Sequence, residues 1–390
     1  MQWLSIFNTT VILGCTKSNR APQEQSSSVE FEIPEHFPDL DLEHWPTEDR
    51  IELGRWIFYD QRLSVDGTRS CGVCHEQEKA FSDGLVRGLG AQNTPLPLNS
   101  LSLFNVAWRT ELTWNHRIEE LETHMLIPLF NYNPIEMGMT EDLILDRIRE
   151  EDRYQPMFEA AFPTFENPIT IANTLQAIAD FTRTLISSRS PYDQWLTKGE
   201  PLSIEALRGE ALFFSERTKC GHCHGGIFFD QPTEAALSEP NRHGYFNTGQ
   251  YNIDDEGGYP PTAMGLFETT GLPEDMGRFR VPTLRNLSYT YPWLHDGTQL
   301  SLEAVIDAYA RGGRLIESGP FRGDGQTNPF KSPLISGFEL SDSEKNDLIA
   351  FLLSLNDPYL LEDEAFQTPF CQLREGEIIN EPCVDQFELE

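Results

Sequence analysis

Two copies of one short cysteine motif constrain this chain more than any other feature. Residues 71–75 read CGVCH and residues 220–224 read CGHCH, so each copy has cysteines at positions i and i+3 with a histidine directly after them. Thiols at this spacing can form thioethers with the two vinyl groups of a haem, and the adjacent histidine can then bind the iron. The sequence therefore predicts two covalently attached c-type haems. The residues assigned to them are Cys71, Cys74, His75, Cys220, Cys223 and His224.

Two other roles for paired cysteines fit the sequence less well. Two pairs can hold one structural zinc ion, but the pairs of such a site usually follow each other closely along the chain. A redox-active pair would follow a strand in a thioredoxin-like unit, and neither copy follows a β-branched run. The histidine that ends both copies is explained only by haem.

The charge of the chain excludes some classes of partner. The formal net charge is −33, from 62 acidic and 29 basic residues in a chain of 390. Such a surface repels nucleic acid and anionic membrane lipids. It favours a basic or neutral protein partner, although a saline habitat would give the same composition.

The first 44 residues predict export and tethering. Residues 1–15 resemble a lipoprotein export signal that ends at Cys15, although no lysine or arginine stands near the start. Residues 16–44 begin with a polar stretch rich in serine and glutamine, as in a flexible tether. No later stretch has the roughly 18 apolar residues of a membrane span. We therefore expect a periplasmic protein that is either anchored by a lipid on Cys15 or soluble.

Helical periodicity dominates the rest of the chain. Residues 47–64, with Thr47 as the cap candidate, have Ile51, Leu53, Ile57 and Phe58 near helical spacing. Residues 203–214 repeat this arrangement before the second motif, with Leu207, Ala211 and Phe214 on one face. Residues 170–187 predict a buried helix. Residues 340–355 predict another, capped by Ser341 or Ser343, with its inward side chains at Leu348, Phe351 and Leu352.

No comparable alternating series predicts strands, so the fold class is mostly α and loop-rich. We expect two cytochrome-c-like helical domains at residues 45–200 and 201–357, each with one covalently bound haem, and a C-terminal extension at residues 358–390. Cys371 and Cys383 lie in this extension and could form a disulfide outside the cytoplasm.

Several further stretches resemble one known group of proteins. They are LGRWIFYDQRLS (53–64), LFNVAW (103–108), RFRVPTLRNLSYTYPWLHDGT (278–298) and SLEAVIDAYARGG (301–313). In this order around two haem motifs, they resemble the bacterial di-haem cytochrome c peroxidase superfamily, which includes the MauG-like enzymes. The resemblance extends from about residue 45 to residue 357. Residues 112–139 look most similar to the MbnH-like branch.

The resemblance implies that His75 and His224 are the proximal iron ligands. Conventional di-haem peroxidases bind the first iron with a second histidine from the loop after the first motif. Residues 76–115 contain neither histidine nor methionine, so the first iron is expected to have an open face for peroxide. His116 and His124 are the remaining candidates for that ligand position.

On the distal side of the first haem, the resemblance assigns Glu136 and Pro128. Glu136 can move a proton from the near to the far oxygen of bound peroxide, which promotes O–O cleavage. His124 stands where the family usually has glutamine, and it is a candidate second proton shuttle.

The resemblance assigns Tyr309 as the second ligand of the C-terminal iron, where conventional peroxidases have methionine. An anionic phenolate stabilises ferric and higher states, whereas a thioether raises the potential. Trp114 maps to a tryptophan that relays electrons between the haems. From the residues alone, Tyr309 and Trp114 would be ordinary core aromatics. In MauG-like enzymes, a tryptophan two residues before the second haem motif lies on the route from the haems to the substrate protein. Thr218 stands at that position here, and Trp293 is a candidate substitute.

The resemblance also implies a calcium ion between the domains, at Asn99, Thr290 and Pro292. Calcium is a hard cation, and a side-chain amide with backbone carbonyls and water would supply oxygen ligands. Without the resemblance, these three residues would be ordinary turn residues.

The function that these assignments imply is oxidation driven by hydrogen peroxide. We expect a di-haem oxidoreductase whose high-valent, bis-Fe(IV)-like state oxidises an aromatic side chain, tryptophan in particular, of a partner protein at long range. The likeness to MbnH-like enzymes makes a copper-binding MbnP-like protein a candidate partner. One alternative is a conventional peroxidase fed by a small cytochrome, and another is a non-enzymatic electron-transfer cytochrome.

Overall fold

Helices dominate the residues that the structure, a computed structural model, describes: 31–42, 44–116, 118–237, 244–372 and 378–382. The helices are α1 (Glu48–Tyr59), α2 (Cys71–Cys74), α3 (Leu121–Phe130), α4 (Glu141–Arg149), α5 (Tyr154–Ala161), α6 (Ile171–Arg183), α7 (Pro191–Lys198), α8 (Ile204–Phe213), α9 (Cys220–Cys223), α10 (Phe267–Thr270), α11 (Leu302–Arg311), α12 (Asp342–Leu353) and α13 (Tyr359–Glu362). Long loops connect many of them.

Strands in the described ranges are short and pair only as two-stranded antiparallel sheets. They are β1 (Tyr245–Phe246) with β2 (Phe279–Arg280), β3 (Leu315–Ile316) with β4 (Gly323–Asp324), and β5 (Phe370–Gln372) with β6 (Ile378–Pro382). The predicted fold class, mostly α and loop-rich, is confirmed.

The first core is built where α1 packs against α6. Gly54 makes this contact close, because a Cβ atom at Gly54 would lie 1.9 Å from the carbonyl oxygen of Ala177. The predicted apolar face of α1 is confirmed, since its members are buried. Thr47 is the N-cap residue as predicted, but its side chain makes no capping hydrogen bond. The predicted buried helix at residues 170–187 is α6.

The second core repeats this arrangement with α8 and α12. A Cβ atom at Gly209 would lie 1.9 Å from the carbonyl oxygen of Asp347, so these helices also approach through a glycine. Helix α12 begins with a capping box formed by Ser341 and Glu344, which confirms the predicted cap. Its predicted inward residues are buried.

The predicted apolar face of α8 is wrong. The buried residues are Ala206, Gly209 and Phe213, whereas Ala211 and Phe214 are exposed. The face that meets α12 is centred on Gly209, and a hydrophobic pattern gives glycine no weight. Close backbone approach therefore decided which side of α8 is buried.

The two cores draw on different parts of the chain. The first extends from Ile51 to Leu185 and also includes Leu360, Phe366 and Phe370, and the second extends from Tyr192 to Leu355. The domain boundaries near residues 200 and 357 stay a prediction. Within the described ranges, no helix is both long and apolar enough to cross a membrane. Cys15, Cys383 and the side chain of Cys371 lie outside what the structure describes, so the lipid and disulfide predictions are untested.

Candidate active site

Both cysteine motifs fold in the same way. Each pair of cysteines lies on a one-turn helix, α2 or α9, and the histidine that follows bonds through its backbone N–H to the carbonyl of the first cysteine, at 2.8 Å for His75 and 2.9 Å for His224. The Nδ1 atom of His75 lies 2.9 Å from the carbonyl oxygen of Phe81, and that of His224 lies 3.0 Å from that of Phe229. Donation from Nδ1–H leaves Nε2 to bind iron, the usual arrangement for a metal-binding histidine.

The loop that supplies the carbonyl is also repeated. Phe81 and Phe229 adopt φ values of +59° and +55°, in the left-handed region that a bulky residue rarely enters. Backbone bridges Glu76–Ser82 and Gly225–Gln231 close the two loops around these residues. This repetition indicates that the conformation serves the histidine, because nothing in phenylalanine itself favours it.

The glycine inside each motif is also required by packing. A Cβ atom at Gly72 would lie 2.2 Å from the ring of Tyr59, and one at Gly221 would lie 2.5 Å from the ring of Phe214. The sequence pattern alone does not reveal this requirement, although both copies have glycine after the first cysteine. The aromatic residue that precedes each motif is what makes glycine necessary.

The cysteines do not meet in one zinc site. Cys71 packs against the first core and Cys220 against the second. Within the described residues, no three of the side chains that bind metals come together in a cluster. None of the four motif cysteines forms a disulfide, so all four are available for thioether formation.

A large cavity lies beside the second motif. Its lining residues include Cys220, Cys223, His224 and Tyr309. Tyr309 lies on α11, and burial raises the pKa of its hydroxyl, with further contributions from Cys223 and Cys220. The two residues predicted to bind the second iron therefore face the same space.

This cavity suits an amphipathic cofactor with acidic groups. Its walls are mostly apolar, but they include Arg109 and Arg280, whose exposures are only 6% and 7%. Burial, and then the charge of Arg109, lower the pKa of Arg280 to about 10, and its Nη2 atom has no hydrogen-bond partner. Asp230 lies 3.5 Å from Arg109, and its charge only partly offsets the burial of Arg280. Buried cations are costly unless they are fully paired, so haem propionates would suit this position. Neither arginine was predicted from the sequence, and the only signal for Arg280 is a cation in the otherwise apolar FRVP stretch.

The first site brings Glu136 and Pro128 together. Pro128 lies within α3, and its carbonyl accepts a hydrogen bond of 2.9 Å from the backbone N–H of Met137, which holds the Glu136 segment against the helix. Burial raises the pKa of the Glu136 carboxyl. The charge of Glu136 in turn raises the pKa of the Cys74 thiol, after burial and Asp83, so Glu136 lies near the first motif.

Of the two remaining histidine candidates, only His124 lies near the first motif. Burial, followed by the charges of His75 and Arg280, lowers the pKa of His124 to about 4, so the imidazole is neutral at physiological pH. His116 is engaged elsewhere, with its Nδ1 atom 2.7 Å from the Oγ1 atom of Thr269.

Trp114 lies in the aromatic cluster that lines the second cavity. Its Nε1 donates a hydrogen bond of 2.9 Å to the carbonyl of Asn99, and its own carbonyl accepts one of 2.9 Å from the backbone N–H of Arg280. Its ring packs edge-on against His295 at 6.4 Å between centroids. The three residues predicted to bind calcium, Asn99, Thr290 and Pro292, line this same cavity, as do Thr218 and Trp293.

Two haem-type motifs, each with an oriented histidine, define a c-type di-haem protein. Comparison with known proteins agrees. A family model for di-haem cytochrome c peroxidases matches residues 48–201. The chain is 32% identical over 350 residues to methylamine utilization protein MauG of Methylorubrum extorquens, covering 89% of this chain and 90% of that protein. It is 30% identical over 337 residues to cytochrome-c peroxidase IdrP1 of a Pseudomonas strain, covering 81% and 83%.

A solved structure is also similar to this chain. It is described as a MauG-like protein associated with microbial copper homeostasis, with 41% identity and a TM-score of 0.82 over 87% of this chain and 99% of that one. The chain belongs to the di-haem cytochrome c peroxidase family that includes MauG, and the predicted superfamily is confirmed. Membership implies two c-type haems and an oxidoreductase activity.

Proposed function

We propose that this protein uses hydrogen peroxide to oxidise an aromatic side chain, tryptophan in particular, of a partner protein at long range. The observation that carries this proposal is the placement of Tyr309 in one cavity with His224. A hard, anionic phenolate would stabilise the oxidised forms of the second iron, so this haem is better suited to store an oxidising equivalent than to receive electrons from a cytochrome.

The first site is where we place the reaction with peroxide, for which the bound haem supplies the redox chemistry. Glu136 transfers a proton between the two peroxide oxygens, and burial, which raises the pKa of its carboxyl, favours the protonated form that donates to the far oxygen. Pro128 limits the space on this side. His124 stays neutral because of burial, so it can accept or donate a hydrogen bond there without bringing a charge.

Trp114 is the proposed relay between the two sites. Its indole is buried and lines the second cavity, and its backbone carbonyl is hydrogen-bonded to Arg280. Arg280 is also close enough to His124 to lower the pKa of that imidazole. These contacts connect the two sites within a few residues. A calcium ion at Asn99, Thr290 and Pro292 would hold the same region, with oxygen ligands as calcium requires.

The partner is proposed to be a protein that meets this chain outside the cytoplasm. The likeness to a protein associated with copper homeostasis favours a copper-binding, MbnP-like partner. With a net charge of −33, association with a basic partner would be fast and would slow as salt rises. We also propose that the protein lies in the periplasm and carries a lipid on Cys15.

Electron paramagnetic resonance of the resting ferric protein tests this function. We expect one high-spin signal from an open first haem and one low-spin signal from a haem with His224 and Tyr309 as ligands. Two low-spin signals would leave peroxide no iron to bind and would contradict the proposal. If peroxide is reduced only when a reduced small cytochrome is added, the conventional peroxidase is the correct function.

The role of Glu136 is tested with a matched pair of variants. Glu136→Gln should slow the optical change that peroxide causes by roughly a hundredfold, the lower range for general acid–base catalysis. The exposed Glu205→Gln should leave it unchanged. Equal rates in the two variants would exclude Glu136 as the proton carrier.

A further inference from the structure

An aromatic pair connects the second haem cavity with the protein surface. Trp293 lines the cavity, and its ring centroid lies 5.5 Å from that of Tyr291 with the rings nearly perpendicular, at 83°. Tyr291 is 43% exposed. The two rings therefore form a continuous path from the wall of the cavity to solvent.

Hydrogen bonds hold Trp293 in this position. Its Nε1 donates to the carbonyl of Leu287 at 3.1 Å. Its backbone N–H and carbonyl bond to Gln299 at 3.0 Å and 3.4 Å, forming an isolated bridge. An indole fixed in this way keeps a constant distance to Tyr291, which a relay of electrons requires.

We propose that Trp293 and Tyr291 form the exit route through which oxidising equivalents leave the second haem, an inference that rests on the function proposed above. In each passage Trp293 loses one electron to the oxidised haem site and regains one from Tyr291. Tyr291 loses its phenolic proton to solvent and recovers an electron and a proton from the partner's aromatic side chain. Two passages use the two oxidising equivalents of one peroxide, which is reduced to two waters.

The other candidate residues of this region are less suitable for an exit route. Thr218 lines the cavity but has no ring to oxidise. Tyr251 and Tyr259 form a cluster that stays inside the protein, with exposures of 4% and 5%. A route through them would end at a buried side chain.

A second aromatic pair has the same spacing but no access to the cavity. The rings of Tyr192 and Trp195 lie 5.5 Å apart in the second core, and neither residue lines the cavity. Phe229 contacts Tyr192 at 5.6 Å, and a phenylalanine ring is too difficult to oxidise to serve as a step. Trp195→Phe is therefore a matched control for Trp293→Phe.

The test traps the radical on the protein itself. Haem-loaded wild type, Tyr291→Phe, Trp293→Phe, Trp293→Tyr and Trp195→Phe are treated with peroxide and a nitroso spin trap without any partner protein, and the adducts are located by peptide mass spectrometry. The optical change caused by peroxide is recorded for each variant, because it reports the reaction at the first site.

The expected result is an adduct on Tyr291 in the wild type and in Trp195→Phe. The adduct should be lost in Tyr291→Phe and should fall at least about tenfold in Trp293→Phe, a factor that corresponds to roughly 1.4 kcal/mol in the barrier. Trp293→Tyr, which keeps an oxidisable ring, should recover it, and this recovery separates a redox role from a packing role.

Two results would overturn the inference separately. The exit route would be excluded, with the proposed function intact, if the optical change is normal and Trp293→Phe keeps the full Tyr291 adduct. The same conclusion would follow if the optical change is normal and the wild-type adduct lies on residues other than Tyr291. A wild type in which peroxide causes no optical change would overturn the proposed function and the exit route with it.

Discussion

The indole Nε1 of Trp114 donates a hydrogen bond to the carbonyl oxygen of Asn99 over 2.9 Å. The backbone N–H of Asn99 in turn donates to the carbonyl of His295 over 2.8 Å. Asn99 therefore connects the proposed relay with the HDGT stretch of the other half of the chain. Because Asn99 is also a candidate calcium ligand, we expect the position of Trp114 to respond to binding of that ion.

Removal of calcium should therefore impair communication between the two haems. We expect that chelation with EGTA slows the optical response of the second haem to peroxide, while peroxide still reacts at the first. Calcium should restore the response and magnesium should not, because magnesium requires a smaller octahedral site and keeps its water. A response that survives chelation, in protein shown by elemental analysis to be free of calcium, would show that communication between the haems does not require calcium.

Replacement of both cysteines in one motif should remove the covalently attached haem of that motif and leave the other haem in place. The double variant Cys71→Ser/Cys74→Ser should retain haem only at the second motif, and Cys220→Ser/Cys223→Ser only at the first, because serine cannot form the thioether. Haem staining after denaturing electrophoresis should fall to about half in each case, in proportion to the two sites. Full staining of either variant would disprove covalent attachment at that motif.

Replacement of Tyr309 by methionine should raise the potential of the second haem. A neutral, soft thioether favours the ferrous state, whereas a phenolate favours the ferric one. Spectroelectrochemical titration would measure the change, with Tyr192→Phe as a control tyrosine in the second core, outside the cavity. An unchanged potential in Tyr309→Met would show that Tyr309 is not a ligand.

The sequence was sufficient to predict the features that depend on local pattern. The two haem motifs, helix α6 and the capping box at Ser341 are determined by residues near each other in the chain. Of the residues assigned by family resemblance, Glu136 and His124 lie near the first motif, and Trp114 and Tyr309 line the cavity at the second. His116 bonds to Thr269 instead, and the roles of all these residues stay predictions.

Features that depend on contacts between distant residues could not be predicted. The buried face of α8 is set by the approach of α12 to Gly209. Nothing local in the sequence indicates that Arg109 and Arg280 are both buried beside one cavity, because only the folded chain brings them together. Likewise, nothing local in the sequence indicates that Phe81 and Phe229 adopt left-handed backbones to present a carbonyl to a histidine.

The ion pair between Asp193 and Arg285 should be essential for stability. Arg285 is fully buried, and its two terminal nitrogens bond to the Asp193 carboxylate at 2.7 Å and 2.8 Å. Asp193→Asn leaves this cation unpaired and should reduce the free energy of unfolding by about 3–5 kcal/mol. The exposed Glu205→Gln, which loses a pair with Arg208, should cost at most about 1 kcal/mol. Denaturant unfolding of the haem-loaded proteins measures both, and equal losses would contradict the argument.

The same pair predicts the direction of acid destabilisation. Burial acts to raise the pKa of Asp193, but the hydrogen bonds and charge of Arg285, together with Ser190, outweigh it and lower the pKa. A lowered pKa means that the unfolded chain binds the proton more tightly. The stability from this pair is therefore present above the ordinary aspartate pKa of about 3.9 and is lost as pH falls below it. In Asp193→Asn, the free energy of unfolding should therefore fall less steeply with pH in that range. An unchanged pH dependence would mean that other carboxylates cause the acid destabilisation.

Replacement of Trp114 should interrupt charge sharing without affecting the reaction with peroxide. Trp114→Phe removes an oxidisable ring and one indole hydrogen bond, so its control must lose a comparable bond elsewhere. Trp108→Phe meets this need, because Trp108 donates its Nε1 to the carbonyl of Pro38 at 2.7 Å and does not line the second cavity. Stopped-flow spectra should show the first haem reacting at the normal rate in both variants, with the response of the second haem slowed only in Trp114→Phe. Partial recovery in Trp114→Tyr would support oxidation of the ring itself, whereas a normal response in Trp114→Phe would mean that the haems exchange charge directly.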